Sequence, residues 1–461
     1  MPLDSGNGGP PTPAQLRAWD DAHLWHPFTP HSVYREEEPL LVAAGDGHYL
    51  IDTEGNRYLD GVASLWCNLF GHRRPEIDAA VRSQLDRIAH STLLGHSSVP
   101  AVQLGRKLAE LAPAGLTRVF FSDDGSTAAE VALKLALQFW QQHDGGRERQ
   151  RTLFVTLGLS YHGDTVGAVS LGGIALFHER YRPLLFQTVR SPAPYCYRCP
   201  LGLERASCAL DCVRVLEDTI AAHGDRVAAV VLESGVLGAA GMVVQPEGML
   251  RRARAAADRV GALLILDEVA TGFGRLGRMF ACEREGVSPD LLCVAKGLTG
   301  GYLPMAATLA TERIFTAFLG PPAEGRTFFH GHTYTGNALA AAAALATLDI
   351  FEREHILARL PGRIAQLATA LERLRGHPSV GDIRQVGLAA GIELVADRTT
   401  RTPFPVAERR GMQVCRAARR RGVFLRPLGD TIVLMPPLTI TESEITHLVD
   451  AIEHGIRESC P

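Results

Sequence analysis

The chain has 461 residues, too many for one small core, so two or three domains or one multi-lobed enzyme are expected. Hydrophobic residues make up 46% and charged residues 21%, and the formal net charge is -3, which leaves no basic excess to make nucleic acid the main partner. The longest apolar stretch, ALAAAAALATL after Asn337, is too short and too alanine-rich for a bilayer span, so a cytoplasmic protein working on small molecules is expected.

The first residues, MPLDSGNGGPPTPAQ, lack the basic and apolar regions of a signal peptide and read as a disordered lead-in over 1–15. Residues 40–60 alternate short β-like runs with Gly, Asp and Asn turn signals, which predicts antiparallel hairpins. From about residue 76, helical periodicity alternates with the apolar runs RVFFS, TLFVTL, AAVVLES, ALLILDE and LLCVAKG. Strands separated by helices predict an α/β fold with a mostly parallel central sheet. A helix starting near Asn337 leads into a C-terminal α/β segment that ends in TIVLMPP and the helix SEITHLVDAIEHGI. The expected division is a small domain built from 16–75 and 346–461 around a large domain over 76–345.

Of nine cysteines, five are scattered and four cluster in a loop over 195–212, as Cys196, Cys199, Cys208 and Cys212. A CxxC followed by a second close pair can hold a tetrahedral zinc, and it can equally be a loop of free thiols. Both readings leave it outside the catalytic motifs.

In an open α/β sheet the ligand site lies beyond the carboxyl ends of the strands, where four unusual features fall. Gly125 and Ser126 form a turn feeding a helix N-terminus, which offers N–H groups and a positive dipole end to a phosphate. Tyr161, His162 and Asp164 crowd a glycine-bounded loop suited to a flat ligand. Asp267 ends the run LLIL, and Lys296 closes LLCVA. Together they match the needs of pyridoxal phosphate: a lysine to carry it, an acid for its ring nitrogen, a phosphate cup and ring contacts. The dinucleotide pattern GxGxxG is absent after the early strands. Glu268, beside Asp267, reads either as a support for the site or as a helix-cap acid.

From about Trp25 to the last helix the sequence resembles the class III, or omega-type, pyridoxal phosphate aminotransferases. The stretch LILDEVATGFGRLGRMFACEREGVSPDLLCVAKGLTGGYLP carries that family's elements in order. The resemblance implies a fold-type I transferase in which Lys296 bears the cofactor, Asp267 meets the ring nitrogen, Tyr161 stacks on the ring, and Gly125 and Ser126 bind phosphate. It also implies that Thr333 of HGHTYTGN reaches the phosphate of a neighbouring subunit, which makes the active unit a homodimer with a shared site. Glu233 is carried over from a Glu-Pro pair that here reads Glu233-Ser234.

Within the family, LWHPFTP, SLWCNLFGH, SYHGDTVGAVSLGG, FFHGHTYTGN and FLRPLGDTIVLMPP resemble the biotin-pathway branch, and the cysteine loop resembles its Bacillus-like members. That likeness implies amination of 8-amino-7-oxononanoate to 7,8-diaminononanoate, with S-adenosylmethionine or L-lysine as donor. Arg426 then holds the substrate carboxylate, and Phe28, Trp66, Asp164, Arg275 and Gly331 lie along the substrate channel. Phe28 and Leu65 stand where adenosylmethionine users of the branch commonly carry Tyr and Trp. The alternatives are another omega-aminotransferase, acting on a diamine or an omega-amino acid, and a zinc-binding interaction module built on the cysteine loop.

Overall fold

The computed structural model describes residues 10–460. Most of the expected lead-in lies outside them, and its last residues correct that expectation, because a helix Pro13–His23 already begins there. Thr12 caps this helix: its hydroxyl accepts the Gln15 N–H at 3.2 Å, and Gln15 Oε1 accepts the Thr12 N–H at 2.8 Å. Pro13 sits at the first helical position, where its missing N–H costs nothing.

Strands β1 (Val42–Asp46), β2 (Tyr49–Asp52) and β3 (Arg57–Asp60) pair antiparallel. The β2–β3 turn closes on Asp52, whose Oδ1 accepts the N–H groups of Glu54 and Asn56, each at 2.9 Å.

The central sheet follows, with β4 (Leu116–Ser122), β5 (Leu153–Leu157), β6 (Val189–Ser191) and β7 (Val227–Glu233). A short hairpin of β8 (Val236–Leu237) and β9 (Val243–Val244) precedes its last strands, β10 (Leu263–Asp267), β11 (Leu291–Val294) and β12 (Ala306–Thr311). The seven strands lie in the order β4-β12-β11-β10-β7-β5-β6. Those from β11 to β6 run parallel, whereas β12 is antiparallel to both β11 and β4. Helices cover both faces, so β7, β10 and β11 are buried throughout and their sequences are continuous apolar runs rather than alternating ones. Strand β12 escapes the periodicity because AATLAT is rich in alanine, a helix former; its place between two strands overrides that local preference.

The helix Gly125–Gln142 lies on the sheet with Ala128, Val131, Ala132, Leu135 and Phe139 buried. The helix Ala338–Arg353 starts where Asn337 accepts the Ala340 N–H at 3.0 Å. In the C-terminal segment, β13 (Val380–Val386), β14 (Ala389–Leu394), β16 (Arg426–Leu428) and β17 (Thr431–Leu434) form an antiparallel sheet, while β15 (Val423–Phe424) pairs in parallel with β3. The two ends of the chain therefore share one sheet. No helix among the described residues is long and apolar enough to cross a membrane.

The cysteine loop docks on β14. Arg198 Nε donates to Glu393 Oε1 at 2.6 Å, the Tyr195 hydroxyl bonds the same carboxylate, and Arg401 donates to the Tyr197 carbonyl at 2.8 Å. Burial pushes the Cys196 and Cys212 thiols up. Among the described residues no group of three or more His, Cys, Asp and Glu side chains is arranged to hold a metal ion.

Candidate active site

A cavity of about 410 Å³ opens beyond the carboxyl ends of β7, β10 and β11, and Trp66, Ser126, Tyr161, Glu233, Asp267 and Lys296 all line it. Residues far apart in the chain meet there because parallel strands point the same way. In the register of β7 and β10, Glu233 stands directly beside Asp267.

Asp267 is 6% exposed, and its burial is compensated. Its Oδ2 accepts from His162 Nδ1 at 2.7 Å, and its Oδ1 accepts the Val269 N–H at 3.0 Å. A carboxylate has about four acceptor positions, so a further N–H can still be received. Burial disfavours a charged His162, but the hydrogen bond and charge of Asp267 outweigh it and the imidazole pKa is raised. In the sequence His162 belongs to the ligand loop with no role of its own. No local pattern could say that its ring meets an acid 105 residues away.

Lys296 follows β11 with a left-handed φ of 41°. Burial depresses its pKa, opposed by the charges of Asp267 and Glu233. Its Nζ lies 4.7 Å from the Trp66 ring centroid. Glu233 Oε1 accepts the Tyr161 N–H and its Oε2 accepts the Gly238 N–H, both at 3.0 Å. Burial nonetheless pushes Glu233 up to about 7, with the Asp267 charge adding to the effect. The Tyr161 hydroxyl donates to Asp164 at 2.6 Å, and burial followed by that carboxylate raises its pKa.

The turn at Gly125 is set by Asp124, whose Oδ1 accepts the Thr127 N–H at 2.9 Å. Gly125 and Ser126 occupy the first helical turn, where N–H groups have no intrahelical acceptor. Two glycines are required by close approach: a Cβ on Gly125 would stand 2.4 Å from Val269 Cγ1, and one on Gly163, at φ +121°, would stand 2.0 Å from Ser126 Oγ. Glu268 is fully buried but faces away from this chemistry. Its two oxygens accept the N–H groups of Ala281 and Cys282 at 2.6 and 2.7 Å, so it caps the short turn Ala281–Glu285.

The remaining predicted residues lie elsewhere. Arg275 is 1% exposed and donates to the Pro436 carbonyl at 2.5 Å and to the Leu388 carbonyl at 3.4 Å; burial pushes it down to about 10. It is not on the cavity wall, because its guanidinium satisfies carbonyls beneath the C-terminal segment. Arg426 and Phe28 line a second cavity of about 910 Å³ that the cysteine loop walls with Tyr195 and Arg198. The Phe177 ring lies 5.2 Å from that of Phe28 and 6.3 Å from that of Tyr161. Asp164 is exposed, as are Gly331 and Thr333, and the Thr333 carbonyl accepts from His90 Nε2 at 2.8 Å.

The main cavity fits pyridoxal phosphate on its own chemistry: glycines where a Cβ would fill the phosphate cradle, a buried acid with spare acceptor capacity, and a lysine with a depressed pKa. The family model of class-III aminotransferases matches residues 32–456, and the chain belongs to that family. It is 58% identical to the adenosylmethionine-8-amino-7-oxononanoate aminotransferase of Nitratidesulfovibrio vulgaris, over 96% of this chain and 82% of that protein. To the Geobacter sulfurreducens protein of the same name it is 53% identical, over 96% and 97% of the two chains. The crystal structure of the Methanocaldococcus jannaschii adenosylmethionine-8-amino-7-oxononanoate aminotransferase superposes with a TM-score of 0.92 at 44% identity, covering 97% of this chain and 99% of that one. A thermostable (S)-enantioselective omega-transaminase from Thermomicrobium roseum gives 0.93 at 36% identity, covering 98% and 100%.

Proposed function

We propose that this aminotransferase uses pyridoxal phosphate to convert 8-amino-7-oxononanoate to 7,8-diaminononanoate in biotin biosynthesis, with S-adenosylmethionine as amino donor, in the cytoplasm. The observation that carries the chemistry is the meeting of Lys296, the His162–Asp267 pair and the Gly125–Ser126 turn in one cavity. The names of the relatives carry the substrate and the donor.

Bound pyridoxal phosphate supplies an aldehyde that captures amines and a ring that stabilises charge at the carbon losing a proton. Lys296 would carry the cofactor between turnovers, and its amine, when free, would be placed to move a proton between the reacting carbons. Burial lowers the pKa of that amine, which favours its neutral form relative to an exposed lysine. Asp267, oriented by His162 and the Val269 N–H, would hold a proton on the ring nitrogen. Tyr161 would face the ring, Glu233 fixes the Tyr161 loop, and Gly125 and Ser126 would hold the phosphate. Arg426, which makes no ion pair among the described residues, binds the substrate carboxylate through its planar fork, with Phe28 and Trp66 along the route.

The active unit in this reading is a homodimer. Gly331 and Thr333 lie outside the cavity of their own chain, and Leu94, Phe329 and Tyr334 are 85%, 80% and 61% exposed, an apolar surface suited to a second copy. Thr333 of that copy then completes the phosphate site.

Turnover of 8-amino-7-oxononanoate by purified enzyme, with S-adenosylmethionine and L-lysine compared as donors, tests the reading. Product with S-adenosylmethionine is expected. Activity with L-lysine alone reassigns the donor, and amination of pyruvate or 2-oxoglutarate but not of 8-amino-7-oxononanoate overturns the substrate.

A further inference from the structure

Beyond β3 the chain makes a turn in which Ala63, Ser64 and Trp66 have φ of 47°, 62° and 68°. Residues with a Cβ hold such left-handed values only where their surroundings impose them. The turn delivers Trp66 to the cavity wall against Lys296, 4.7 Å from ring centroid to Nζ, and Gly238 backs the indole, since a Cβ there would stand 3.4 Å from Trp66 Cζ3.

What imposes the turn is Asp60, the last residue of β3, which is fully buried and absent from the cavity wall. Its Oδ2 accepts the Ser64 N–H at 2.7 Å, the Ser64 hydroxyl at 3.0 Å and His72 Nε2 at 3.1 Å. The network assigns the histidine tautomer. Asn68 Oδ1 accepts the Gly71 N–H at 2.8 Å, which directs the Asn68 NH₂ to His72 Nδ1 at 2.9 Å. Nδ1 therefore accepts, and Nε2 carries the proton given to Asp60. The histidine is anchored in turn, since its N–H donates to the Gly47 carbonyl at 2.6 Å. One carboxylate thus ties both ends of the 64–72 segment.

We propose that Asp60, acting through Ser64 and His72, is a positioning residue that holds this left-handed turn and keeps the Trp66 indole against the Lys296 amine. Its effect on catalysis rests on the reading of Lys296 as the cofactor lysine, whereas its effect on Trp66 can be measured without it.

Fluorine NMR of the chain labelled with 5-fluorotryptophan reads the placement directly, because there are only four tryptophans, Trp19, Trp25, Trp66 and Trp140. Trp140, fully buried with its Nε1 donating to the Ala228 carbonyl at 2.9 Å, serves as an internal folding control. In Asp60→Asn the Trp66 resonance is expected to shift or broaden while that of Trp140 stays. In the loaded enzyme kcat/KM should fall about 10- to 100-fold, and adding Asp60→Asn to Trp66→Phe should cost less than about threefold more. A Trp66 resonance unmoved by Asp60→Asn overturns the inference, as do fully multiplicative losses. If Asp60→Asn does not fold, Ser64→Ala, which removes only the hydroxyl that donates to Asp60, is read by the same criteria. A Lys296→Ala chain that keeps the cofactor's yellow absorbance would overturn the functional reading and leave the fluorine result standing.

Discussion

Asp267 and Glu268 are neighbours in the chain and both are buried, yet they do different work because strand geometry turns them to opposite sides. Asp267 meets a histidine and keeps a face toward the cavity, whereas Glu268 spends both oxygens on the N–H groups of Ala281 and Cys282. At this scale the proposed mechanism makes two demands. Lys296→Ala should abolish turnover and the yellow absorbance of the bound cofactor, read by spectrophotometry. His162→Phe keeps a ring in the buried space but removes the donor to Asp267. A hydrogen bond to a charged group contributes about 1.5–3 kcal/mol, so kcat/KM should fall on the order of 10- to 100-fold with the fold intact by circular dichroism. Wild-type kinetics in that variant would remove His162 from the mechanism.

The elements contribute by where they stop. Strands β7 and β10 end side by side on Glu233 and Asp267, and the segment after β10 places Val269 against Gly125, so the acid and the phosphate turn are set by one piece of chain. Glu268 fixes the far end of that piece by capping Ala281–Glu285. Burial raises its pKa to about 7 from the usual 4.5, so between those values the folded state binds more protons than the unfolded one. The stability linked to Glu268 is therefore fully present below about 4.5 and is lost as pH rises through about 7. Glu268→Gln removes the titration. The advantage of wild type over this variant in thermal unfolding should grow as pH is lowered from 8 towards 5, and a gap constant with pH would contradict the raised value.

At the scale of the whole molecule, the proposed shared site makes complementation the decisive measurement. A subunit carrying Lys296→Ala and one carrying Thr333→Glu, each inactive alone, should regain activity when unfolded and refolded together, since a mixed dimer contains one intact site. Random pairing predicts about a quarter of wild-type activity, and no recovery would place Thr333 outside the partner's site. Much of this architecture was legible in the sequence. The buried strands announced themselves as apolar runs, the turn at Gly125 as a glycine before a helical face, and Lys296 and Asp267 as charges that apolar strands do not otherwise end on. These are local properties, set by backbone conformation and by the cost of burying charge, and they travel with the sequence. What only the tertiary structure decided was pairing across distance: β12 between β11 and β4, His162 on Asp267, Arg275 on carbonyls beneath the C-terminal segment rather than on the cavity wall, and Asp60 holding the turn that carries Trp66. Each joins groups that carry no mark of one another in the chain, because a hydrogen bond depends on a few ångströms of space that packing alone creates.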